Sequence, residues 1–177
     1  MSRVIMLTGG VRSGKSSYGE SIFNTDDVIY IATNQFIDGE MEKRIEKHRE
    51  TRNSKWGLLE SYKGLSESII DSKESNVFLD CITAMITNFI FEDEENVDYE
   101  EVEKNVIDEL TLLINTCRES DKNLILITNE VGLGLVPEHE LGRAFRDISG
   151  NVNKEIAKLS DEVILMVSGI PVKVKEI

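Results

Sequence analysis

The chain has 177 residues, 40% of them hydrophobic, which is enough to bury a core without metal or disulfide staples and is most economically one domain over residues 1–177. Its 20 Lys and Arg stand against 33 Asp and Glu, a net charge of −13, so the surface repels duplex nucleic acid and a small-molecule substrate is expected instead. No run approaches the roughly eighteen apolar residues of a membrane span, and Cys81 and Cys117 sit in no metal or redox spacing; two free buried thiols and a cytoplasmic location are expected.

Val4-Ile5-Met6-Leu7 reads as a buried strand and feeds Gly9-Gly10-Val11-Arg12-Ser13-Gly14-Lys15-Ser16, which fits G-x-x-x-x-G-K-S/T. The glycines let backbone N–H groups converge on phosphate oxygens, and the helix that follows, over Lys15 to Phe23, adds the partial positive charge of its N-terminus. In such a loop Lys15 reaches the β- and γ-phosphates of a bound nucleotide, and Ser16 ligates Mg²⁺. Val28 to Ala32 is a second buried strand, leaving through Thr33-Asn34-Gln35. Glu40 to Arg52 has helical composition, Asn53 to Gly57 breaks it, and Leu58 to Tyr62 reads as a short strand.

Leu65 to Ser72 reads as a short helix, and Asn76 to Asp80 as an apolar strand ending in a carboxylate. Cys81 to Phe91 is mostly apolar and reads as a buried helix; Glu92 to Asn96 is an acidic, solvated loop. Between Asp98 and Ser120 the apolar residues Val102, Val106, Ile107, Leu110, Leu113, Ile114 and Cys117 fall on one side of a helix. Leu124 to Thr128 is the next strand, and Asn129 to Glu138, with two glycines and a proline, is a shaped loop. Leu141 to Asp147 and Val152 to Leu159 read as helical segments interrupted at Ser149-Gly150. Glu162 to Val167 is a long strand, turned by Ser168 to Pro171 into Val172 to Lys175, an antiparallel edge strand. Alternating strands and helices behind a phosphate loop define a three-layer α/β domain with a mainly parallel sheet and a C-terminal edge hairpin. Its ligands belong at the carboxyl ends of the strands, where Gly9, Thr33, Asp80 and Glu130 converge.

Asp80 stands where such enzymes place a Mg²⁺ acid, although Asp also serves a strand-ending turn. Glu130 is either a base or metal partner or the group that holds the glycine loop's backbone. His48 lies four residues after Arg44 and four before Arg52, so a helix puts all three on one stripe with Arg49 adjacent. That cationic patch suits a triphosphate and favours the neutral, nucleophilic imidazole; on spacing alone a surface histidine fits equally well. His139, in a polar loop, reads as solvated.

Along nearly its whole length the sequence resembles the bifunctional adenosylcobinamide kinase / adenosylcobinamide-phosphate guanylyltransferase family. The resemblance rests on Thr8 to Ser16, Tyr30 to Thr33, Asp38 to Met41, Arg44-Ile45 with His48, Arg52 and Trp56, and Glu60. It continues through Leu79 to Thr83, Thr87-Asn88, Thr128 to Glu138, Phe145-Arg146-Asp147 and Val167-Ser168-Gly169. The resemblance implies phosphorylation of adenosylcobinamide by ATP or GTP, then transfer of GMP from GTP onto that phosphate through a guanylylated His48. It implies nucleotide contacts at Gly9 to Ser16, at Thr33, Asn34 and Gln35, at Arg49, Glu50, Thr51 and Arg52, and at Glu60 and Asp80. A RecA-like P-loop fold and a homotrimer are implied as well. Two departures stand out: Val11 replaces the family's usual Ala, and Gly150 to Lys154 lacks the Arg and Gln common there. The alternative class is a P-loop NTPase or switch acting on a protein partner, which has no need of the Arg44/His48/Arg52 stripe.

Overall fold

A computed structural model describes residues 2–35, 53–93 and 95–176. The apolar runs become β1 (Val4–Gly9), β2 (Val28–Ala32), β3 (Gly57–Glu60), β4 (Asn76–Asp80), β5 (Asn123–Ile127), β6 (Glu162–Val167) and β7 (Ile170–Glu176) of one sheet. Its order is β3-β2-β4-β5-β1-β6-β7. The first six strands run parallel and β7 pairs antiparallel with β6. The strands are continuous apolar runs because both faces of the sheet are covered. Val4, Met6, Ile29, Ile31, Leu79, Leu124 and Leu126 point into one core, while Ile5, Leu7, Tyr30, Phe78, Ile125 and Ile127 point into the other.

The first core receives α2 (Leu65–Ile70), α3 (Ile82–Ile90), α4 (Tyr99–Glu119) and α5 (Glu140–Leu159). The second receives Tyr18 and Ile22 of α1 (Lys15–Ile22), together with Phe23 and Trp56. The three layers expected from the sequence are therefore present, and α4 begins at the Asp98 cap, whose carboxylate accepts from the N–H groups of Glu100 and Glu101. The helix expected over Glu40 to Arg52 lies outside the described residues. Among the described residues no helix is long and apolar enough to cross a membrane.

Two local expectations are corrected. Ser149-Gly150 does not interrupt a helix: α5 runs unbroken from Glu140 to Leu159. A mid-helix glycine costs about 1 kcal/mol relative to Ala, and the burial of Ile148, Val152 and Ile156 on the sheet outweighs it. The turn after β6 is also tighter than expected, using only Ser168 and Gly169, with φ of 51° and 83°. Both central residues are left-handed, the geometry that matches the twist of a two-residue hairpin, so Ile170 and Pro171 already belong to β7. Proline is tolerated there because β7 is an edge strand.

The two helical glycines that meet opposite surroundings make a stability test. A Cβ on Gly150 meets nothing within 4 Å, whereas one on Gly19 lies 2.7 Å from the Phe78 ring and 3.0 Å from Leu7. Gly150→Ala should raise the free energy of unfolding by about 0.5–1 kcal/mol. Gly19→Ala should lower it by about 1–3 kcal/mol. Urea denaturation midpoints measured on both variants check the pair.

Candidate nucleotide site

The loop between β1 and α1 holds a backbone that only glycine supplies at two points. Gly9 has φ 141° and Gly14 φ 92°. A Cβ on Gly9 would stand 2.5 Å from the Met166 carbonyl oxygen, so β6 approaches too closely for any side chain. Neighbouring elements clasp the loop from both sides: the Glu130 N–H donates to the Gly9 carbonyl at 3.0 Å, and the Gly169 N–H to the Ser13 carbonyl at 3.0 Å. A cleft of about 390 Å³ opens between this loop, Glu130 and the end of β6. Val11 is 70% exposed, so the Val-for-Ala departure leaves the cradle's backbone untouched.

Lys15 folds back over the cradle. Its ammonium donates to the carbonyls of Gly9 at 2.9 Å and Gly10 at 2.7 Å, which keeps a buried cation satisfied. At the next residue the Ser16 hydroxyl donates to Asp80 Oδ2 at 3.0 Å, and the Tyr30 hydroxyl donates to the same oxygen at 2.9 Å. Asp80 is therefore more than a turn residue: it is drawn toward the phosphate loop from the end of β4. A hydroxyl and a carboxylate this close suit Mg²⁺, which is held by one or two protein oxygens and completes its shell with water and phosphate oxygens. Among the described residues no cluster of three His, Cys, Asp or Glu side chains could hold a metal alone.

Other expected contacts divide. Thr33 is fully buried, and its hydroxyl is committed to the Cys81 backbone, donating to the carbonyl at 2.7 Å and accepting from the N–H at 2.9 Å. Its own carbonyl accepts from the Asn88 amide. Thr33 thus braces the loop carrying Asp80, across an Asp80–Cys81 peptide that is cis. Asn34 is half-buried, and the exposed Gln35 reaches the Glu60 carbonyl at 3.4 Å, which links the ends of β2 and β3. Glu130 accepts from the Gly132 N–H at 2.7 Å, so of its two readings the structure realises the holding of the glycine loop. His139 is the exposed residue preceding α5. Asn151 donates to Glu103 of α4 at 2.9 Å, and Lys154 to Asn151 at 3.3 Å, so these departures make contacts within the chain. His48, Arg44, Arg49, Glu50, Thr51 and Arg52 lie outside the described residues.

Of the two free thiols expected to be buried, Cys117 is buried and Cys81 is half-buried. Burial pushes Cys81 up to about 11, helped by the Asp80 charge, and burial pushes Cys117 up to about 12. Tyr30 is the functional neighbour that sequence reading did not single out. Its signal is register: Tyr30 pairs with Phe78 two positions before Ala32 pairs with Asp80, so its ring runs beneath the carboxylate.

A glycine cradle with an internal ammonium and a hydroxyl–carboxylate pair, at the carboxyl edge of a parallel sheet, defines a P-loop nucleotide-binding domain. The family profile described as cobinamide kinase / cobinamide phosphate guanyltransferase matches residues 5–174, and the chain belongs to that family. It is 42% identical to the bifunctional adenosylcobalamin biosynthesis protein CobU of Salmonella typhimurium and 43% identical to that of Escherichia coli K12, each over 97% of this chain and 99% of the relative. It is 34% identical to the bifunctional adenosylcobalamin biosynthesis protein CobP of Pseudomonas aeruginosa, over 96% of each. The family resemblance is borne out, and the NTPase or switch alternative is not favoured.

Burial lowers the Lys15 pKa from its ordinary 10.5, against the opposing charges of Cys81 and Asp80. The folded protein therefore binds this proton less tightly than the unfolded chain, a cost in stability that fades as pH rises toward 10.5. A triphosphate in the cradle raises the pKa again. Nucleotide binding should thus take up protons at alkaline pH between the lowered value and 10.5, and this group should contribute no uptake at neutral pH. Titration calorimetry in buffers of different ionisation enthalpy reads the uptake.

Proposed function

We propose that this chain, working as one domain over residues 1–177, phosphorylates the aminopropanol hydroxyl of adenosylcobinamide with ATP or GTP. It then transfers GMP from GTP onto that phosphate, giving adenosylcobinamide-GDP and pyrophosphate. The observation that carries the reading is the meeting of Lys15, Ser16 and Asp80 at one cradle, in a chain matched to the kinase and guanyltransferase family over residues 5–174. We place the protein in the cytoplasm as a homotrimer.

In the kinase step the N–H groups of Gly9 to Ser16 hold the nucleotide's phosphates, and Lys15 moves from its two carbonyl partners to the β- and γ-oxygens where charge builds. The substrate hydroxyl attacks the γ-phosphorus and the nucleoside diphosphate leaves. Ser16 and Asp80 would hold Mg²⁺, which would supply neutralisation of the charge that develops on the transferred phosphoryl group. In the transferase step a His48 nitrogen attacks the α-phosphorus of GTP and pyrophosphate leaves. The acceptor's phosphate then attacks the same phosphorus and releases the imidazole, splitting one difficult displacement into two. Arg44, Arg49 and Arg52 offset the triphosphate's charge. Thr33, Asn34, Gln35, Glu50, Thr51 and Glu60 complete the proposed nucleotide contacts.

Protein incubated with GTP labelled at the α-phosphorus should retain label that mild acid removes, because a phosphoramidate is acid-labile whereas Ser, Thr and Tyr esters survive. The label should vanish in His48→Ala and persist in His139→Ala, while His48→Ala should still phosphorylate adenosylcobinamide. Acid-stable label, or full labelling of His48→Ala, would deprive the transferase reading of its nucleophile.

Asp80→Asn keeps the shape of the side chain and removes its charge, so the Mg²⁺ concentration giving half-maximal kinase rate should rise several-fold, with partial rescue at excess Mg²⁺. An unchanged Mg²⁺ titration would confine Asp80 to bracing Ser16 and Tyr30.

A further inference from the structure

We propose that Arg146 and Ser149 of α5 form a second phosphoryl subsite, on the face of the sheet opposite the phosphate loop, that takes the phosphomonoester of the acceptor. The inference rests on the function proposed above and adds residues that the reading does not use.

Arg146 is half-buried, and its Nη1 has neither solvent nor a hydrogen-bond partner. Among the described residues no ion pair to its guanidinium is present. One turn on, Ser149 is fully buried and its hydroxyl is likewise without a partner. Buried polar groups are normally paired, so two orphans one helical turn apart need a common explanation. Asn153, two turns beyond Arg146 on the same face, shows where that face points. Its side-chain oxygen accepts from the Thr128 hydroxyl at 2.7 Å, its amide donates to the Asn129 carbonyl at 3.3 Å, and the Asn129 amide donates to Thr83 at 2.7 Å.

This polar floor sits at the carboxyl ends of β4 and β5, because Thr128 directly follows β5 and Thr83 lies in the first turn of the helix after β4. The chain leaves β5 at that edge and returns through α5 to the start of β6, so α5 runs antiparallel to the strands. Seven residues of helix then carry Arg146 about 10 Å past Asn153, to the level of the loops that form the crevice. α5 packs in the core with α3 and α4, whereas α1 covers the other face. The nucleotide's phosphates are provided for by Gly9 to Ser16 on the α1 side. A guanidinium with an unpartnered Nη1, and an unpartnered hydroxyl one turn along the same helix, offer donors for the remaining phosphoryl group of a two-substrate transfer.

The test uses Arg146→Leu and Arg146→Lys, each first confirmed to be folded by circular dichroism. In guanylyl transfer, KM for adenosylcobinamide phosphate should rise about ten-fold or more in Arg146→Leu, as loss of hydrogen bonds to a charged group implies. The change in kcat should be smaller, and Arg146→Lys should recover part of the loss. A rise in KM for GTP instead would assign Arg146 to the nucleotide and overturn the proposal. An equilibrium arm fills the phosphate loop with a non-hydrolysable GTP analogue and titrates inorganic phosphate. Wild-type protein should gain melting temperature and Arg146→Leu should not. Ligand-free Arg146→Leu should melt at the wild-type temperature or above it, because a buried donor without a partner has been removed. A less stable ligand-free variant, or one with altered sedimentation mass, would make Arg146 a brace of the fold or of a second copy and overturn the subsite. If wild-type protein showed no guanylyl transfer yet the phosphate shift depended on Arg146, the function reading would fail and the subsite would stand.

Discussion

The contact between Gly9 and the Met166 carbonyl is the constraint on which the site depends. β1 lies between β5 and β6 in the sheet, and the chain must leave it with φ 141° at Gly9 because β6 leaves no room for a Cβ. Glu130 after β5 and Gly169 after β6 then fasten the loop by its own carbonyls, and the Ser13 N–H closes a turn inside it onto the Gly10 carbonyl at 3.3 Å. Donors fixed by neighbouring strands need no reorganisation when charge develops on a phosphate, which is where electrostatic catalysis gains most. The β6–β7 hairpin is part of the same device. Its two-residue turn brings Gly169 back over Ser13, so an edge strand remote from the chemistry helps hold the cradle's shape.

From the cradle the constraint passes into the second core. Asp80 Oδ2 accepts from Ser16 on one side and Tyr30 on the other, which fixes the carboxylate without using its second oxygen. Tyr30 is itself stacked on Phe78, with ring centroids 5.4 Å apart and planes 13° from parallel, and Trp56 lies 5.8 Å from Phe78. The Trp56 indole N–H donates to the Thr25 carbonyl at 2.8 Å, tying the stack to the loop after α1. Aromatic packing therefore helps set the position of the Asp80 carboxylate oxygen that Ser16 of the phosphate loop also holds.

Much of this was legible in the sequence because the informative residues are punctuation. Gly9, Gly14 and the Lys15-Ser16 pair mark a loop whose geometry allows few substitutes, and apolar runs separated by amphipathic helices leave little choice of layer order. Asp80 was legible as a strand-ending acid. Its partner Tyr30 was not, because an aromatic residue inside an apolar strand reads as core until the register with β4 is known. Ser149-Gly150 misled for a related reason. Local propensity argued for a break, while the packing of Ile148, Val152 and Ile156 that overrides it is a tertiary fact. Thr33 was legible as a residue bordering the crevice, and only the geometry shows its hydroxyl engaged with the Cys81 backbone.

The charge distribution explains how an acidic chain accommodates polyanions. The acids are spread over exposed surface such as Glu100, Glu101 and Glu119 of α4, where water screens them. Lys15, by contrast, is 7% exposed, and its surroundings amplify any interaction made there. Two loop carbonyls accept from it and hold its ammonium over the cradle, while the Asp80 charge opposes the effect of burial on its proton. A phosphorylated molecule that does not fit therefore meets mainly the repelling outer field, whereas one shaped to enter the crevice reaches a cation that water has not already neutralised. In that arrangement the net charge of −13 contributes to selectivity: it raises the cost of non-specific phosphate binding without weakening the cation inside the crevice.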